Sequence, residues 1–317
     1  MKASQLTLAV LLTAAFGSAY AVEVQGGSSN TKAIKVGSSS LIPFGAGRAG
    51  IAISNAADGN YSFSVNLENG PARRIRDKYG RTPINGGNQN ANVNGTANPK
   101  YLTPGDVNPV LGWFSSEKLG QVWYEKRANN TEVFSVRQMA ELSEAGLLKK
   151  APKFGGMTFA KVPTAATNVF FGEWAPRKGN PPDNSTDLNM DDGNRTVWFV
   201  GENPTKNTTG LATATYNVVG INKHTPGEND FYTGEITATF GTNKFGSMSG
   251  ELKRAGDNDL SFDGVEITNT DGSFKSGAGN NEGITGQFYG NGAAAMAGYA
   301  NRGNGKGDDV AFGGAKK

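Results

Sequence analysis

"GITGQFYGNGAAAMAGYA" occupies residues 283–300, and Gly, Ala and a few aromatics leave it almost nothing that could do chemistry. Ile284, Gly286 and Phe288 recur at a spacing of two, the period of a strand with one buried face. Gly290 and Gly292 mark a turn, and Ala293, Ala295 and Ala297 then follow at the same spacing. The stretch reads as a hairpin of scaffold. Its glycines, including Gly286 and Gly298, allow bends or close approach of backbone. Its three alanines, read as sharing one face, make room for larger neighbours.

The same texture extends outward on both sides. From about Lys206 onward, turn signals arrive every eight to twelve residues between short alternating segments. The segments are 211–222, 232–241, 245–254, 258–268, 272–276, 282–290, 292–301 and 308–314. One face of these segments is apolar or small, as in Ala212, Ala214, Tyr216 and Val218, or Ile236, Ala238 and Phe240. The other face carries Thr, Glu, Gln and Asn. Strands in hairpin order with this pattern belong to an up-and-down barrel or sandwich. With eight strands, a barrel interior is just wide enough for side chains to fill. The expected fold is mainly β: a β-rich N-terminal domain with one helix over 22–205, then an eight-stranded antiparallel barrel over 206–317.

Residues 1–21 read as a signal peptide. Lys2 precedes the apolar run "LTLAVLLTAAF", and Ala19-Tyr20-Ala21 is an A-x-A cleavage site. The run is shorter than the ~20 residues that span a bilayer. The chain has no Cys, so neither lipidation after the cleavage site nor a disulfide framework is expected, and an extracellular, non-lipidated product follows. A net charge of +3 without a clustered basic face argues against general nucleic-acid binding. Catalysis has little to stand on. With no Cys and one His, thiol nucleophiles and histidine-rich zinc sites are excluded, and no G-x-S-x-G elbow is present.

Within 22–205, "AIKVG", "GIAISN", "YSFSVNL", "VLGWFSS", "GQVWYEKR", "GGMTFAKV", "NVFFGEW" and "RTVWFVGE" read as strands, with 110–116 and 120–127 taken as a pair. The helix is expected at "SVRQMAELSEAGLL", with Ser135 and Gln138 as a capping box and Gly146 at its end. Residues 84–99 are too rich in Asn and Gly to pack and read as a long surface loop.

The Gly-Gln-Phe-Tyr-Gly block at 286–290 and the terminal Ala-Phe-Gly-Gly at 311–314 lie in an order that resembles the C-terminal barrel of transferrin-binding protein B-like proteins. These are substrates of the Slam outer-membrane export system. The resemblance covers about residues 206–317, and a two-domain chain without a lipid anchor looks most like the hemophilins. It implies a secreted protein whose N-terminal domain captures haem or a haem-bearing host protein such as haemoglobin. Export through a Slam-type system and delivery to a TonB-dependent receptor are implied with it, in a monomer. A host-association protein of the same fold, working through protein contacts without haem, is the alternative.

One departure stands out. The hemophilin pattern places a His of the N-terminal domain on the iron, and this chain has none there. Its sole His, His224, follows the first barrel segment in what reads as a hairpin loop. It is either an iron ligand or a residue facing water. Tyr or Met can also hold haem iron, and Tyr79, Tyr101, Tyr124, Met139 and Met157 offer themselves without any spacing to choose among them. Beside Tyr79, "ARRIRDKYGR" gathers Arg73, Arg74, Arg76, Lys78 and Arg81. Guanidinium groups pair with carboxylates, so these residues could hold haem propionates or an acidic patch on a partner. Otherwise they form an exposed basic loop.

Two further motifs read as turns. "GAGRAG" at 45–50 has the G-x-G-x-x-G pattern, but a strand signal rather than a helix follows it. "DLNMDDGN" at 187–194 approaches a calcium loop, yet its Gly falls one place late and Trp198 stands where the bidentate Glu belongs.

Overall fold

The computed structural model describes residues 22–40, 44–54, 64–78, 100–107, 118–127, 129–139, 154–179, 182, 185–303 and 308–317. In chain order the N-terminal part runs β1 (Val24–Ser28), β2 (Ile34–Ser38), β3 (Ala49–Ile53), β4 (Val65–Asn66), α1 (Pro71–Lys78), β5 (Lys100–Leu102) and α2 (Pro104–Val107). It continues with β6 (Gly120–Lys126), β7 (Glu132–Gln138), β8 (Gly156–Lys161), β9 (Val169–Ala175) and β10 (Thr196–Glu202). Seven of these strands form one antiparallel sheet in the order β1-β10-β9-β8-β7-β6-β5, while β2, β3 and β4 make a smaller sheet. The signal-peptide stretch 1–21, the strand read at 110–116 and the Asn-rich stretch 84–99 lie outside the described residues.

The C-terminal part holds β11 (Ala214–Ile221), β12 (Tyr232–Thr239), β13 (Phe245–Lys253), β14 (Leu260–Ser261), β15 (Val265–Thr268), β16 (Ser273–Ser276), β17 (Ile284–Tyr289), β18 (Ala295–Ala300) and β19 (Val310–Lys316). Both β14 and β15 pair with β13, so they are two pieces of one interrupted strand. The order β12-β11-β19-β18-β17-β16-β15-β13 returns to β12, closing an eight-stranded antiparallel barrel. Closure removes the unpaired edges that an open sheet would present.

The barrel is full. Phe288 lies 5.1 Å from both Phe240 and Phe274 and 5.6 Å from Tyr216, while Phe312 lies 5.0 Å from Phe262. Tyr216, the polar exception, donates its hydroxyl proton to the Ala293 carbonyl at 2.7 Å. Gly286 is required here, because a Cβ on it would stand 2.2 Å from the Phe274 ring.

The N-terminal sheet is buried on both faces. Alternate residues point to opposite sides. Phe134, Phe159, Phe170 and Trp198 join Ile34, Ile51 and Leu67 under the small sheet and α1. Phe171, Val197 and Phe199 face the other way and meet Ile221, Tyr289, Ala297 and Ala311 on the outside of the barrel. Contact there is close enough that a Cβ on Gly313 would stand 2.5 Å from the Phe171 ring.

Several expectations need correction. Ser135 is no helix cap: it sits mid-strand in β7, its hydroxyl 3.1 Å from that of Thr158, and Gln138 accepts a hydrogen bond from Gly155 N–H. Among the described residues β6 pairs with β5 over Gly120–Val122 and along its whole length with β7, while 110–116, expected as its partner, lies outside them. Ala212 precedes β11 and is exposed. Ala293 belongs to the barrel core, whereas Ala295 and Ala297 face the N-terminal sheet. The turn ahead of β18 breaks the period, so the three alanines do not share a face.

Phe171 is fully buried in the contact between sheet and barrel. Phe171→Ala is therefore expected to lower unfolding stability by about 3–5 kcal/mol, measured by urea titration. A loss below about 1 kcal/mol would mean that this apolar face does not hold the two parts together.

Candidate functional site

Among the described residues, two polar assemblies gather side chains that could act on a ligand or partner. The first surrounds α1. Asn66 is fully buried and ties two segments together. Its Nδ2 donates to the carbonyls of Phe44 (2.8 Å) and Gly45 (3.1 Å). Its Oδ1 accepts from the N–H groups of Glu68 (2.8 Å) and Asn69 (3.2 Å). Pro71, whose fixed φ suits a first helical position, then opens α1.

Between these walls lies a cleft of about 350 Å³ lined by Phe44, Glu68, Asn69, Arg73, Arg74 and Asp77. The Arg74 guanidinium lies 4.3 Å from the Phe44 ring centroid. Arg73 is buried and committed elsewhere. Its Nη1 reaches Glu68 at 3.1 Å and Glu132 at 3.2 Å. Lys161 also meets Glu68, and the Tyr124 hydroxyl donates to Glu132 at 3.0 Å. The cleft is thus charge-balanced and polar, unlike the mostly apolar pockets that enclose small molecules.

The basic stretch is accordingly a helix rather than a loop, and Arg73 and Arg74 part ways on it. The first supports the fold; the second borders the surface. The side chains of Arg76 and Lys78, and the whole of Tyr79 and Arg81, lie outside the described residues. Phe44, Asn66 and Glu68 went unnoticed in the sequence, although Pro71 ahead of a run of helix formers is a legible start signal.

The second assembly forms where residues 222–231, between β11 and β12, cross the N-terminal sheet. Glu173 on β9 is fully buried. It accepts from Arg195 Nε at 2.8 Å and from the backbone N–H groups of Lys223 and His224 at 2.8 and 2.7 Å. Glu125 on β6 accepts from Gly227 N–H at 2.8 Å and meets His224 Nε2 at 3.3 Å. His224 Nδ1 makes a short contact with Asp230, which also accepts from Thr225 N–H at 2.9 Å. The imidazole lies 4.3 Å from the Phe231 ring.

His224 is therefore neither a water-facing loop residue nor free for iron. Burial by itself would lower its pKa, but hydrogen bonds to Asp230 and Glu125, and their charges, more than reverse this and raise it to about 10. Burial also opposes ionisation of Asp230, yet the hydrogen bond and charge of His224 hold it below the usual carboxylate range. An iron ligand must offer a neutral imidazole nitrogen. This one is an imidazolium with both nitrogens engaged, and it does not fit a haem axial ligand. Tyr124 is buried and its hydroxyl donates to Glu132.

Among the described residues, no three His, Asp or Glu side chains are placed to hold a metal ion. In 187–194 the carboxylates serve the turns themselves. Asp187 accepts from Asn189 N–H, Asp192 accepts from Asn194 N–H, and Asp191 pairs with Lys223 at 2.7 Å. The 45–50 stretch leads straight into β3, so it offers no helix N-terminus for a pyrophosphate.

The two arginines of α1 are expected to differ on truncation. Arg73→Ala removes the buried cation shared by Glu132 and Glu68, leaving them only Tyr124 and Lys161, and should destabilise by about 1–3 kcal/mol. Arg74→Ala at the surface should cost less than about 1 kcal/mol. Denaturant titrations of the two variants make the comparison, and equal losses would refute the division of roles.

No protein-family model matches the chain. Solved structures similar to it include HpuA from Kingella denitrificans in complex with human haemoglobin, at 13% identity and a TM-score of 0.41, covering 95% of this chain and 89% of that one. The apo structure of the haemoglobin receptor HpuA from the same organism matches at 12% identity and a TM-score of 0.38, with the same coverage. Isotype 1 transferrin-binding protein B from serogroup B Neisseria meningitidis matches at 12% identity and a TM-score of 0.28, covering 69% of this chain and 51% of that one.

Proposed function

We propose that this chain is an exported binding protein of the hemophilin or transferrin-binding protein B-like type. Its N-terminal module engages a haem-bearing host protein through protein contacts, in the service of iron acquisition. The reading rests chiefly on one observation. The blocks that carry the sequence resemblance, 286–290 and 311–314, fall in β17 and β19, which flank β18 in a closed eight-stranded barrel. In this reading the barrel belongs to export, through a Slam-type system, and recognition belongs to the other module.

Packing supports that division. The barrel interior is filled by aromatic and aliphatic side chains, among them Phe240, Phe274, Phe288 and Phe312. The charged cleft beside α1 offers a surface for a partner's polar groups rather than an enclosure for a porphyrin. With His224 committed to two carboxylates, contact with a haem protein fits the geometry better than capture of free haem by that residue. A host-association role without haem uses the same surfaces and is the second reading.

Two titrations of the purified mature chain separate these readings. Immobilised protein exposed to human haemoglobin is expected to bind it saturably. Free haem, followed through its Soret band, is expected to behave identically with the wild type and with His224→Ala. A saturable Soret shift abolished by His224→Ala would overturn the assignment of His224. Absence of binding to haemoglobin and to other haem proteins would leave host association without haem as the function.

A further inference from the structure

Residues 222–231 are held by two different parts of the molecule. At both ends the barrel holds them. Arg254, which follows β13, donates to the Asn222 carbonyl (2.6 Å), to Asn222 Oδ1 (2.8 Å) and to the Asp230 carbonyl (3.3 Å). In the middle the N-terminal sheet holds them, through Glu173 and Glu125 on the amides of Lys223, His224 and Gly227. The apolar contact between sheet and barrel takes in Phe231, where the segment rejoins the barrel, and is otherwise made by residues outside the segment, among them Phe171, Val197, Ile221, Tyr289 and Ala311.

We propose that residues 222–231 form a charge-locked strap: His224, clamped between Glu125 and Asp230, bolts the middle of the segment to the N-terminal sheet. Residues 222–230 lift when that clamp is broken, while Phe231 and the barrel stay docked.

The charges around the bolt come from every element packed on it. They are Glu125 and Arg127 on and just after β6, Glu173 on β9, Arg195 ahead of β10, Asp309 ahead of β19 and Arg254 after β13, with Lys223, Glu228 and Asp230 from the strap itself. Arg195 already satisfies Glu173 within the N-terminal module. Glu125 differs: its hydrogen bonds go to the strap, and its second oxygen is buried without a partner. A buried carboxylate left in that condition favours the charged imidazole while the strap is closed and regains water when it opens.

The sign of the pH dependence follows. A histidine whose folded pKa is raised to about 10 contributes stability that is fully present below its unfolded value, ~6.5, and is lost as pH rises through about 10. The strap is thus closed across neutral pH and opens on the alkaline side.

Because His224 is the only histidine, its ring resonances report the bolt without ambiguity. No titration is expected between about pH 5 and 8, and a midpoint near ~6.5 would overturn the clamp. Amide hydrogen exchange at neutral pH then compares the wild type with His224→Gln, Glu125→Gln and Asp230→Asn. The expected result is exchange faster by about tenfold or more at Lys223, His224 and Gly227, with β11 and β19 still protected. Unchanged protection of these amides, or a uniform loss that includes β9, β11 and β19, would each overturn the strap. Should His224→Gln fail to fold, the two carboxylate variants and the wild-type ring titration decide the matter.

Discussion

A carboxylate buried between two packed parts of a protein is tolerated only when its lone pairs are met, and Glu173 is such a group. Arg195 meets it from its own sheet, and the amides of Lys223 and His224 meet it from the barrel. Breaking a buried pair of this kind costs about 3–5 kcal/mol; Arg195 keeps the pair intact within the sheet, and the two amides place the segment in its closed position. The apolar face sets the barrel against β9 and β10. The opposite face of the sheet is left to the small sheet and α1, where the charged cleft sits.

The division of labour between barrel and sheet follows from what each has inside. An eight-stranded barrel interior is just wide enough for side chains to fill, and Phe240, Phe274, Phe288 and Phe312 occupy it. The N-terminal sheet is covered on both faces, so its own strands are not exposed for binding either. Beside α1, on the side of the small sheet, lies the charged cleft. Its side chains are paired into Glu68–Arg73–Glu132 and Arg74–Phe44 contacts, which keep them in defined positions.

Legibility varied along the chain for physical reasons. Within most strands from Ala214 to Lys316 the inward residues recur every second position and hairpins join neighbours, so the segments could be read locally, although the turn ahead of β18 shifts the face of its alanines. β8, β9 and β10 are legible too, through their clusters of aromatic and β-branched residues. β7 is not. Ser135 and Gln138 mimic a capping box locally, but Phe134 and Val136 face one core while Val133 faces the other, an arrangement created by β6 and β8 on either side. The helix at Pro71–Lys78 was hidden by its arginines, because a dense basic run reads equally well as a solvated loop.

Composition and pattern alone determined the β class, the eight barrel segments, the lack of thiol chemistry and the single histidine, since these depend on residue type and on spacing between near neighbours. Tertiary structure decided what that histidine does. His224 meets Glu125 across 99 positions of sequence, and the amides beside it meet Glu173 across about fifty. Contacts of that range leave no local period to read. They exist only once the barrel and the sheet share an apolar face that excludes water and makes the pairing of charges obligatory.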